Sequence, residues 1–255
     1  MMKLGMPQLY EYDNIEDNLK LCKELSLDFI ELNLNFSYCR KEMEEGKVLG
    51  LLKKYDLEAT LHFYDEADLG SYNEVVDAYL VLLDRYLSLG KNYIKQVNIH
   101  SIPGPVVTIS GVKNYIYDKE YDEYIRRLVS NLNKALAICN KYNVNMVIEN
   151  TDIMPSFMKK TWAMLNSCGF NFCYDIGHDM LSSGFVLDVL KDNDLKILEF
   201  HIHDGKGSKC HLALGEGGID IKKYKDMAVK RNAYVVLEVK NKVDLVKSVP
   251  IFRSL

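Results

Sequence analysis

Three of the six histidines in the sequence, His201, His203 and His211, fall within eleven residues of one another, in the stretch FHIHDGKGSKCHLALGEGGID from Phe200 to Asp220. Imidazole ligates metals and exchanges protons near neutral pH, so this density predicts one wall of an active site. The segment ILEFHIH, Ile197 to His203, alternates apolar and polar residues with the period of a strand, which sends His201 and His203 to the same side. Asp204, Lys209 and the Gly215-Glu216-Gly217-Gly218 run follow, a composition suited to a loop that wraps a ligand at a strand end. Elsewhere Glu149, Asp175 and Glu238 follow the apolar triplets MVI, FCY and VVL. A buried, unpaired carboxylate there would be costly. These carboxylates call for a cation, and with His201 they make an oxygen-rich set that suits manganese, magnesium or cobalt, and zinc if more imidazole joins.

For such residues to meet, the segments that carry them must end at one place. Short apolar runs alternate with longer amphipathic ones eight times along the chain. The runs are Leu4 to Leu9, Phe29 to Leu34, Ala59 to Phe63, Ile94 to His100, Asn145 to Glu149, Phe172 to Ile176, Ile197 to His203 and Tyr234 to Val239. Each precedes a helical stretch, among them Met43 to Tyr55 and Tyr121 to Tyr142; the latter spaces Tyr124, Leu128, Leu132, Ala135, Leu136 and Cys139 by threes and fours. Eight strand-then-helix units imply parallel strands with right-handed crossovers, the input for a single-domain (β/α)8 TIM barrel over residues 1–255. An open doubly wound sheet would show a glycine-rich turn after its first strand, and LYEYDN has no glycine. In a barrel, chemistry belongs at the C-terminal ends of the strands. His62, His100, Glu149, Asp175, His178, His201, His203 and Glu238 all map there, with His211 in the following loop, and no histidine falls on a predicted helix.

The bulk numbers narrow the class. Apolar residues are 48% and charged residues 27% of the chain, and the formal net charge is −4. That balance fits a folded globular protein and leaves no basic stripe for nucleic acid. No apolar run reaches the roughly 18 residues of a membrane span, and MMKLGMPQLYEYDN turns acidic before a signal-peptide core forms, so a cytoplasmic protein is expected. The six cysteines contain no C-x-x-C pair and read as free, mostly buried thiols, with Cys210 set apart by its place beside His211. The longest connection, Ser101 to Lys119, contains Pro103, Gly104 and Pro105 and is a candidate lid. A homodimer is the default assembly.

The strand-end motifs LH at His62, VNIHS at His100, IEN at Glu149, CYDIGH from Cys173 to His178, FHIHD, HLALGEGGID and LEV at Glu238 together resemble the xylose isomerase-like barrel superfamily. That group contains sugar and sugar phosphate isomerases and epimerases, and the apurinic endonuclease family related to endonuclease IV. For the epimerase branch the resemblance implies one divalent metal on Glu149, Asp175, His201 and Glu238, with His178 facing a small sugar-like substrate. A metal chelating a keto oxygen and its neighbouring hydroxyl acidifies the carbon between them. Glu149 and Glu238 would flank that carbon as the catalytic pair, one removing a proton and the other returning it. The same chemistry would serve a dehydratase acting on a carbocyclic hydroxy ketone. For the nuclease branch the resemblance implies a trinuclear zinc cluster that adds His62, His100, His178 and His211, and an Asp two residues before His211. This sequence has Lys209 there, which cannot ligate while protonated and could instead pair with a sugar phosphate beside the amides of Gly215 to Gly218. A non-catalytic sugar binder is the remaining class, and it would not require Glu149 and Glu238.

Overall fold

The computed structural model describes the backbone of residues 1–255 and every side chain except that of Lys91. Eight parallel strands, Lys3–Pro7, Phe29–Asn33, Glu58–His62, Ile94–His100, Asn145–Glu149, Asn171–Asp175, Ile197–Ile202 and Tyr234–Leu237, close on themselves in sequence order. The eighth pairs with the first in the register Lys3 with Tyr234 and Gly5 with Val236. This is the expected TIM barrel.

Strand parity divides the molecule into two chemistries. Gln96 on the fourth strand donates to Glu199 on the seventh, and His201 Nε2 on the seventh lies 3.3 Å from Glu31 Oε1 on the second. These strands are not neighbours, so their side chains meet through the barrel interior. Residues of the opposite parity, such as Leu32, Leu61, Val97, Ile99, Phe172, Phe200, Ile202 and Val235, are buried in the apolar core. Phe172 packs against Trp162 of the helix Phe157–Ser167, with ring centroids 4.7 Å apart, which places that core between strands and helices. Each such side chain contributes about 1.5–3 kcal/mol by leaving water. The helix Tyr121–Lys141 buries Tyr124, Leu128, Leu132, Ala135 and Cys139, the predicted stripe, with Leu136 partly buried at its margin.

Four local features depart from the sequence reading. Met43 to Tyr55 is not one helix: Ser37–Glu44 and Lys47–Tyr55 are separate, because Gly46 takes a left-handed φ of 71° that no helix accommodates. His178 does lie on a helix, the short turn Ile176–Leu181, where its own N–H donates to the capping Asp175 side chain. The connection after the fourth strand carries an exposed hairpin, Val106–Ile109 against Val112–Tyr115. Ser110 and Gly111, at φ 48° and 81°, make its two-residue turn. A second small hairpin, Asp204–Lys206 against Lys209–Leu212, follows the seventh strand.

Candidate functional site

The strand ends converge on His201. Its Nδ1 stands 3.0 Å from Glu149 Oε1, 3.5 Å from Glu238 Oε2 and 4.0 Å from Asp175 Oδ2. All four side chains are buried, and their donor atoms lie within 4.8 Å of one another. Nε2 of the same ring is 3.3 Å from both Glu31 Oε1 and Glu199 Oε1. A carboxylate accepts, so Nε2 carries a proton. Burial opposes a charge on the ring, but the acids around it, Glu149, Glu31 and Glu238 among them, raise its pKa well above the usual value. Nδ1 is the nitrogen that a cation among the three carboxylates would ligate in place of a proton. Sequence reasoning missed Glu31 and Glu199, although Glu199 has the parity of His201 and His203.

His203 works differently from His201. Its Nδ1 accepts the backbone N–H of His211 at 2.8 Å, and its Nε2 lies 3.1 Å from Asp175 Oδ1. Both ring nitrogens are thereby engaged, and the ring orients Asp175. Gly177 makes room for it: a Cβ there would sit 1.9 Å from His203 Cε1. Three of the four remaining histidines are anchored through Nδ1 to backbone carbonyls, His62 to Phe63 at 2.9 Å, His178 to Asn150 at 3.1 Å and His211 to Glu238 at 3.1 Å. A carbonyl only accepts, so each anchored Nδ1 carries a proton and Nε2 is the ring nitrogen left to face the site. His62 Nε2 and His100 Nε2 then stand 3.7 and 3.6 Å from Glu149 Oε2, which also accepts from Asn98.

The electrostatics follow from crowding acids around imidazoles without water. Burial would push Glu149 up, but the imidazoles of His201, His100 and His62 outweigh it and hold its carboxyl well below the usual range. Burial also opposes ionisation of Glu238, which Lys240, His201 and His211 reverse. Glu199 has less cationic support, and burial pushes it up to about 7. Burial pushes His211 down to about 4, which keeps the ring neutral.

The loop after the second hairpin corrects the sequence reading. Asp204 accepts from the amides of Gly205 at 2.8 Å, Gly215 at 2.9 Å, Gly217 at 2.9 Å and Ile219 at 3.1 Å. The amides of Glu216 and Gly218 bond to the carbonyls of Ala213 and Gly205. The run from Gly215 to Gly218 therefore offers no amide to a phosphate. Lys209 lies exposed on the hairpin; the lysine at the site is Lys240, half-exposed, whose ammonium bonds Glu238. Lys240 lies beyond the eighth apolar run, and nothing in its spacing marks it.

The residues fit a divalent ion. Among the described residues, Glu149 Oε1, His201 Nδ1 and Glu238 Oε2 are buried without a hydrogen-bond partner. Such an atom costs about 1–3 kcal/mol, and three of them face one point. Adjacent donors of an octahedral site with 2.1 Å bonds stand about 3 Å apart, against 3.0, 3.5 and 4.0 Å around His201 Nδ1.

Residues 19–254 match the family model described as xylose isomerase-like TIM barrel. The chain belongs to this family. Its structural likenesses include a D-tagatose 3-epimerase-like protein at 20% identity and a TM-score of 0.75, over 99% of this chain and 96% of that one. The 3-keto-D-glucoside 4-epimerase YcjR of E. coli, at 14% identity and a TM-score of 0.74, is covered in full, as is this chain. An IOLI protein solved with a zinc atom shares 16% identity at a TM-score of 0.69, over 99% and 96% of the two chains. At these identities the likeness is one of fold. An uncharacterized protein of Methanocaldococcus jannaschii, MJ1614, is 29% identical over 254 residues, 94% of this chain and 93% of its own.

Proposed function

We propose that the protein is a cytoplasmic, divalent-metal-dependent isomerase or epimerase of a sugar or sugar phosphate. The observation that carries the reading is the placement of Glu149 and Glu238, which reach one donor set from strands three places apart in the barrel. Two carboxylates approaching a common point from different sides can address both faces of one carbon. A divalent ion held by Glu149, Asp175, His201 and Glu238 supplies polarisation of a carbonyl and neutralises the charge that develops beside it. The second oxygens of Glu149 and Glu238, oriented by Asn98 and Lys240 respectively, would exchange the proton at the carbon between carbonyl and hydroxyl. His203 holds Asp175 and the pair Glu31 and Glu199 holds His201, so the donor set keeps its shape through the cycle. Lys240 places a positive charge beside Glu238. His178 and His211 line the mouth, where hydroxyl groups of a sugar would be recognised.

The test is exchange of substrate protons with deuterated solvent over a panel of ketoses and their phosphates. Wild type is expected to exchange with at least one. Glu149→Gln and Glu238→Gln are expected to retain substrate binding and lose exchange, and full exchange in both variants refutes the assignment. Elemental analysis accompanies it, because a site of this kind holds at least one ion per chain.

One observation favours a second reading, phosphodiester cleavage: the donors of His62, His100 and Glu149 also lie within 4.8 Å of one another, room for a further zinc. Nicking of a duplex carrying an abasic site decides between the two.

A further inference from the structure

Cys210 sits with His178 and His211 in a group whose donor atoms lie within 4.8 Å of one another, all three residues being partly buried at the barrel mouth. Two neighbours on a regular strand point to opposite faces, so Cys210 and His211 should not share a target. They share one because His211 takes a left-handed φ of 55°, a conformation that costs a residue with a Cβ about 1–3 kcal/mol. The surroundings hold it there. The His211 N–H is fixed on His203 Nδ1 at 2.8 Å, and its ring Nδ1 on the Glu238 carbonyl at 3.1 Å. His178 is anchored in the same way on the Asn150 carbonyl. With Nδ1 taken in both rings, Nε2 is the nitrogen left to a ligand, Cys210 is a free thiol in the same group, and Lys209, the position where the nuclease resemblance wants an aspartate, lies exposed to solvent.

We propose that His178, Cys210 and His211 form a second, sulfur-containing metal site, selective for zinc or another thiophilic divalent ion, beside the oxygen-rich set around His201. Two imidazoles and one thiolate supply three ligands of a tetrahedral zinc site, and the partial exposure of all three leaves the fourth position to water or a ligand. Adjacent donors of such a site stand about 3.4 Å apart, within reach of small side-chain rotations from the observed grouping. Binding transfers the thiol proton to solvent, one proton per ion, and needs no oxidant or reductant. The site does not rest on the isomerase reading, since it requires no sugar and no turnover.

Cobalt(II) titrated into chelator-treated protein provides the test, because thiolate ligation gives an intense near-ultraviolet charge-transfer absorption that oxygen and nitrogen donors do not. Wild type is expected to show that band, to keep it in Cys168→Ser and to lose it in Cys210→Ser. A band that persists in Cys210→Ser assigns the thiolate elsewhere, with Cys173 beside His201 and Glu149 the nearest alternative, and overturns the proposal, as does its absence from wild type. A second readout needs no variant: zinc should slow alkylation of Cys210 at least ten-fold, read by peptide mass, while exposed Cys168 reacts at an unchanged rate. Equal rates at Cys210 with and without zinc refute the site.

Discussion

Asp204→Asn tests how the mouth of the barrel is held. In the native side chain, Oδ1 accepts from Gly205 and Ile219, and Oδ2 from Gly215 and Gly217. Asparagine keeps one oxygen, so two of the four bonds survive, and its NH2 group faces two N–H donors. Loss of two charge-assisted bonds at about 1.5–3 kcal/mol each gives about 3–6 kcal/mol. Gly215 is exposed, and water can take over part of the lost bonding, so the lower figure is the expected cost. For a chain of this size each kcal/mol lowers Tm by about 2–4 °C, and the variant should melt about 6–12 °C lower in a calorimetric scan. Hydrogen exchange gives the local signature, because the amides of residues 215, 217 and 219 should lose protection while the barrel strands keep theirs. A Tm within about 2 °C of wild type with unchanged protection at those amides would refute the reasoning.

Two further substitutions reach other parts of the site. Gly177→Ala would drive a methyl group into His203 and release its hold on Asp175; metal affinity is expected to fall about 10–100-fold by calorimetric titration, and an unchanged affinity would mean that His203 does not orient the ligand. Ser101→Ala would strand the indole N–H of the fully buried Trp162, which donates to Ser101 Oγ at 3.0 Å. The expected loss is about 1–2 kcal/mol, read as a lower midpoint in denaturant followed by Trp162 fluorescence; an unchanged midpoint would show that the N–H finds another acceptor.

Much of this architecture was legible because strand parity and strand ends are one-dimensional signals. The apolar runs named the eight barrel strands, and their last residues named the polar groups that meet at the mouth. Glu31 in FIELN and Glu199 in ILEFHIH share the inward parity but were missed, because a lone acid in an apolar run does not announce that its partner is a histidine across the barrel. Other features depend on single backbone angles. Gly46 splits a stretch whose periodicity is helical throughout, and the φ of His211 turns Cys210 and His211 toward one point when alternation would part them. The glycine-rich run looked like a phosphate cradle because composition shows which amides are accessible, not which are already taken by Asp204. Lys240 was invisible for a related reason: its partner Glu238 lies two residues away, but the bond forms where the chain has left the strand.

The lumen of this barrel is largely polar, with Glu31, Thr60, Gln96, Asn98 and Glu199 buried in it below the strand ends, while the apolar packing lies outside the strands. Alternate residues of each strand therefore answer to different selection. Outward positions are constrained by volume, because any change there is felt by a helix. The polar inward positions are constrained by whether their hydrogen-bonding and charge partners change with them. A lineage can exchange a cross-barrel pair such as Gln96 and Glu199 for another complementary pair without disturbing the layer that keeps the chain folded. Inheritance of the scaffold is thereby uncoupled from inheritance of the reaction, and this molecule carries the two on alternate residues of the same strands.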